Sequence, residues 1–214
     1  MPNFTGSRVL RQGERLFEPM TDIVTVIDTV TIALMAIRAG HLPSIGPESS
    51  SFRMATSLFS TDFAFSGNAA GFAAANGQVQ SAFEITFPVK IVQPQHPFAT
   101  DGYRSVIGNI VIAVFIAFYE HHRPWLRAKY GTNFTGIFAF ARAMRNFLAH
   151  HGGIVHFDNP KASPVQWRGV SFGPAQAGQS AFAPNAGPGV LSTGDLIFLL
   201  IEFSDELDVE GCPL

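Results

Sequence analysis

The chain has 214 residues, a single cysteine and a formal net charge of −2, with 47% apolar and 14% charged residues. One cysteine excludes a disulfide framework and a cysteine-based zinc site, and the near-balanced charge excludes a chain that grips polyanions over its whole surface. The charged fraction is low against a usual value of about 25%, so much apolar surface has to be hidden, in a core and in an oligomer interface.

Residues 1–19 carry no apolar signal core, which together with the lone Cys212 points to a reducing, cytoplasmic setting. A first helix is expected to open around Pro19 and Asp22 and to stop at Gly40. Residues 41–100 read as a loop-rich insertion of unknown role. HLPSIGPESSS is a loop by composition, a Phe-rich stretch follows, and AFEITFPVKIV (82–92) reads as a strand weakened by Pro88.

Asp101 is a good N-cap for a central helix. Its apolar run, 106–119, is 14 residues long and contains Asn109, too short to span a bilayer, so no membrane partner is expected. Pro124 is expected to break this helix, leaving one or two turns that end at Gly131. A helix over 134–151 follows, capped by Thr132 or Asn133 and stopped by Gly152 and Gly153. Residues 154–158 and 165–172 read as two strands of a small β-hairpin, and 173–191 as loop. The last helix, 192–209, opens with Ser192 and Asp195 at capping-box spacing. The sum is a mainly α chain: an up-and-down bundle of four to five helices, with a small β-hairpin and a long insertion, in a single domain over 1–214.

The stretch with chemistry in it is ARAMRNFLAHHGG, residues 141–153. From His121 to His151 there is no acid, while Arg123, Arg127, Lys129, Arg142 and Arg145 accumulate with four histidines. Such a patch can recruit a phosphate-bearing ligand despite the negative net charge. On the helix, Asn146 and His150 share a face at about 40°, and Arg142 lies about 40° from Asn146 on the other side. Arg145 lies about 140° from His150, so its long side chain or a second copy of the helix has to bring the two together. Arginine fits phosphate oxygens with a planar, permanently charged fork, and histidine moves protons near neutral pH. The two groups suit metal-free, in-line attack on a phosphodiester. A plain alternative is that they cap and solvate a helix end.

RNFLAH resembles the signature of the HEPN superfamily (higher eukaryotes and prokaryotes nucleotide-binding): an Arg, a polar residue after it, and a His four to six residues beyond. Arg145, Asn146 and His150 match in turn, late in a helical chain and with one helix following. The resemblance implies a metal-independent endoribonuclease working as a homodimer with two motifs facing one cleft. Arg145 would stabilise phosphate charge, His150 would act as general acid and base, and Asn146 would complete the catalytic set. Arg142, His151 and Arg127 are the candidate substrate-binding residues. RNA or a nucleotide is the implied ligand, an antitoxin is a further candidate partner, and neither a cofactor nor a metal is called for.

Two rivals stand beside this reading. One is a non-catalytic HEPN-like dimeric scaffold that binds a nucleotide or a partner protein, with the Arg–Asn–His set kept as a polar network. The other is metal hydrolysis through His121, His122, His150, His151 and His156, with Asp158 as a carboxylate partner, although no HExxH spacing occurs. Trp167 and Arg168 can be read as a base clamp or as support beneath a helix end.

Overall fold

The computed structural model describes residues 6–39, 50–54, 63–67, 82–87, 101–183 and 190–214. The chain divides into two compact units, 1–55 with 61–110, and 56–60 with 111–214, where the sequence suggests one domain. It is mainly α, with four α-helices among the described residues and a small antiparallel hairpin.

The first unit holds β1 (Gly6–Arg11), α1 (Phe17–Ala39), β2 (Ser50–Met54), β3 (Phe63–Gly67) and β4 (Ala82–Phe87). In α1, Met20, Ile23, Val24 and Ile27 are all buried. That i, i+3, i+4, i+7 stripe outweighs the β-branched content of the segment. Thr21 and Thr29 donate their hydroxyls to the carbonyls four residues back, each at 2.7 Å, so these polar side chains are satisfied within the helix. The helix begins two residues before Pro19, which keeps the proline in the first turn, where its missing N–H forfeits nothing.

The strands form one antiparallel sheet in the order β1-β4-β3-β2. Three of them run through the stretch read from the sequence as rich in loops. β4 matches the start of the expected 82–92 strand and ends just before Pro88, which cannot donate to a ladder. β1, β2 and β3 were not anticipated. Each is only five or six residues long; β2 and β3 pair with one another across a short connection, whereas β1 finds its partner β4 far away in sequence, which a local reading of periodicity does not detect. The rest of 41–100, and 184–189, lie outside the described residues.

The second unit holds α2 (Asp101–Tyr130) from Val111 onward, α3 (Gly136–His150), β5 (Val165–Trp167), β6 (Val170–Phe172), a 3-10 turn at Pro174–Gln176, and α4 (Thr193–Val209). The expected break at Pro124 does not occur: α2 continues to Tyr130. Phe115, Phe118, Tyr119 and His122 are buried before the proline and Leu126 after it, so packing on both sides holds the turn that propensity alone would end. Thr135, not Thr132 or Asn133, is the N-cap of α3.

Two contacts fix α2 and α3 as antiparallel: Tyr130 lies against Phe138, and Glu120 against Arg145. Two others fix α4 as parallel to α2: Phe118 and Tyr119 meet Phe203, and Lys129 meets Glu210. The result is an up-down-up bundle. Every residue from Leu191 to Ile201 is buried, so α4 is the enclosed helix of this unit, whereas α2 leaves Ala113, Ala117 and His121 exposed. The Ser192–Asp195 capping box is present: the Ser192 N–H donates to Asp195 at 2.7 Å and the Asp195 N–H to Ser192 Oγ at 3.3 Å.

The hairpin differs from expectation. Both of its strands lie within 165–172, and 154–158 contributes only an isolated bridge between Ile154 and Ser180. The two-residue turn, Arg168–Gly169, has positive φ at both positions, 46° and 85°, the geometry that matches the twist of a tight hairpin. Glu202 of α4 holds it there, accepting from Trp167 Nε1 at 2.7 Å and from Arg168 Nε at 2.9 Å. Trp167 is buried beside Phe140, so it supports α3 rather than offering a face to a base. Among the described residues, no helix is long and apolar enough to cross a membrane.

Candidate functional site

α3 has two faces because its sequence does. Phe138, Phe140, Ala141, Ala143, Met144 and Phe147 are buried, Arg142 and His150 are exposed, and Arg145 and Asn146 lie between these extremes. The helix stops where the sequence places two glycines. Gly152 and Gly153 take φ of 58° and 82°, and the N–H groups of His151 and Gly153 both turn back to the Phe147 carbonyl, at 3.1 and 2.8 Å. His150 is therefore the last helical residue, at the end where carbonyls are left open.

Arg145 Nη1 donates to His150 Nε2 at 2.7 Å and to Asn146 Oδ1 at 3.1 Å. The angular gap of about 140° is closed within one copy of the helix, because the long arginine stem runs along the axis to meet the terminal imidazole. A second copy is not needed for this contact. Arginine keeps its protons, so Nε2 must be the lone-pair acceptor, and the proton of the neutral ring then sits on Nδ1. It is His150 and not His151 that meets Arg145.

The group that sequence reasoning missed is Glu120. Its carboxylate, from α2, forms an ion pair with Arg145 through one oxygen and with Arg123 through the other, the latter at 2.9 Å. Burial raises the affinity of this carboxyl for its proton, but hydrogen bonds and charge from Arg123 and Arg145 outweigh that, and the group is held below the ordinary carboxylate value. Tyr119 next to it goes the other way: burial raises its hydroxyl, against the opposing charges of Arg142, Arg123 and Arg145. Glu120 lies one residue outside the acid-free window that begins at His121. The signal that reveals it is the α2–α3 hairpin itself, since a chain reversal centred near residue 132 reflects position 120 onto position 145.

The candidate substrate-binding residues are not gathered at this centre. Arg142 donates to the Thr132 carbonyl at 3.1 Å and lies over the Phe134 ring, two turns back along α3, about 12 Å from His150 by helical rise. Arg127 is exposed on α2, about 10 Å along that helix from Glu120. His151 caps α3 and stacks on His156 with centroids 4.1 Å apart, and His156 reaches Asp158 at 3.1 Å. The histidines of the metal reading are dispersed: His122 is buried and bonded to the Phe118 carbonyl at 2.8 Å, while His150 is held by Arg145. Among the described residues, no three His, Cys, Asp or Glu side chains come together as a metal site.

The arrangement thus joins a fixed positive charge, an amide, an exposed imidazole of defined tautomer and a carboxylate counterion. It lies at the open end of a helix, within one compact unit. Compared with models of protein families, with curated proteins and with solved structures, the chain matches none.

Proposed function

We propose that the chain is a HEPN-like, metal-independent endoribonuclease that acts in the cytoplasm as a homodimer. The observation that carries this reading is the direct contact of Arg145 Nη1 with His150 Nε2 at 2.7 Å, with His150 exposed at the helix end. RNA supplies its own nucleophile in the 2′-hydroxyl. That oxygen attacks the adjacent phosphorus in line, and its proton passes to Nε2 of His150, which exchanges Arg145 for the substrate. Arg145 turns its freed donor to the phosphate oxygens, where negative charge accumulates. The 5′-oxygen leaves with a proton from the imidazolium of the second copy, and a 2′,3′-cyclic phosphate remains. Arg142, Arg127 and His151 would steer the flanking strand, and an antitoxin that covers this end of the bundle belongs to the same reading.

A second reading has its own observation. Arg145 is only 16% exposed, and both Nη1 protons are used within the chain, by Asn146 and His150. That is how a structural network behaves in a non-catalytic dimeric scaffold that binds a nucleotide or a partner protein. Single-stranded RNA incubated with the protein in EDTA separates the two. Cleavage by the wild type, lost in both Arg145→Ala and His150→Ala, supports the nuclease. No cleavage by well-folded wild type at any protein concentration supports the scaffold.

A further inference from the structure

We infer that Glu120 is a positioning residue for His150, acting through Arg145. This rests on the reading of the Arg145–Asn146–His150 set as the working site, and it extends that reading to a second helix. The chain of contacts is continuous. Arg123 and Arg145 hold the two oxygens of Glu120, and Arg145 in turn holds Asn146 and His150. A guanidinium is rigid and planar, so fixing Nη2 against a carboxylate fixes the direction in which Nη1 points. Nη1 points at Nε2 of His150.

Each link has a chemical consequence. The carboxylate offsets the charge of Arg145, which is largely withdrawn from water and would otherwise repel a neighbouring imidazolium. The directed Nη1–H selects the His150 tautomer with its proton on Nδ1, leaving Nε2 as the basic nitrogen. His150 stands at an exposed helix end, and among the described residues its ring meets, besides Arg145, only the edge of His151, at 6.4 Å between centroids. The tautomer is therefore set from α2, across the bundle, by a residue that does not touch the substrate. Glu120 can do this because it is held on two sides, and half-exposed Arg123 keeps it from swinging to solvent.

The test reads the ring nitrogens directly. Wild-type protein, Glu120→Gln and the control Glu210→Gln, which removes a carboxylate paired elsewhere with Lys129 and Tyr130, are compared by nitrogen–carbon correlation spectra of the histidine rings at neutral pH. Circular dichroism serves as the check of folding. In the wild type, Nε2 of His150 should read as the unprotonated nitrogen. In Glu120→Gln, both nitrogens should move toward an averaged, mixed-tautomer position, and in Glu210→Gln they should stay. If wild type cleaves RNA, Glu120→Gln should lower kcat on the order of tenfold to a hundredfold, a fraction of what a positioned proton-transfer group contributes, with little change in KM. Unchanged His150 nitrogens in Glu120→Gln, or an equal change in Glu210→Gln, overturn the positioning role even where RNA is cut. A tautomer change specific to Glu120→Gln in a protein that cuts no RNA leaves the positioning intact and removes only the nuclease reading.

Discussion

Phe140 shows what a single side chain contributes near the site. It has no exposed surface and packs between Trp167 and Phe172, at 5.6 and 5.7 Å between ring centroids. Phe140→Ala should cost about 3–5 kcal/mol, because the ring is lost and its aromatic neighbours cannot close the gap. Urea unfolding should show this as a lower midpoint with an unchanged slope. Glu120 supplies a second expectation. Its carboxyl is held below the ordinary value, so the folded state binds its proton less readily than the unfolded chain does. Its stabilising contribution is complete above the ordinary carboxylate value and fades as pH falls through the lower, folded one. Stability measured from neutral to acid pH should therefore decline less steeply in Glu120→Gln than in the wild type. At this scale, Arg145, Asn146 and His150 were legible in the sequence because they follow one another on a single helix. Glu120 was not, because its part in the site depends on a neighbouring helix.

The hairpin shows how an element is held from outside itself. Three-residue strands contribute little alone, and β5 and β6 are secured by Glu202 reaching their turn. Gly169 sits at φ 85° with open space around its α-carbon, so Gly169→Ala meets backbone strain and no clash. The substitution should cost about 1–3 kcal/mol in thermal or denaturant unfolding. The Ser192–Asp195 box and the glycine stop after His150 could be read from sequence because caps are local chemistry. The hairpin was misplaced because a positive-φ Arg168 is rare for that residue type, and Glu202, which stabilises it there, is 34 residues away. The continuation of α2 past Pro124 was hidden for the same reason: buried Leu126 is held by tertiary packing, which no local propensity records.

For the whole molecule, composition supports one clear expectation. A chain with 47% apolar and 14% charged residues should associate, and light scattering at micromolar concentration should return twice the chain mass. A monomer at that concentration would count against the homodimer, and with it against the second imidazole that the proposed chemistry uses. The mainly α class was legible because four long helices dominate the described residues. The four-stranded sheet was not, since its order, β1-β4-β3-β2, joins the start of the chain to segments far along it.

Pro124 carries a consequence for Glu120, four residues before it. In an uninterrupted helix the amide of residue 124 would donate to the Glu120 carbonyl, and proline has no such hydrogen to give. The residue whose side chain orients Arg145 is thus also the one whose main chain is released from its usual helical partner. Glu120 is therefore anchored by its side chain, between two guanidiniums, at a turn of α2 where its main chain lacks the usual donor.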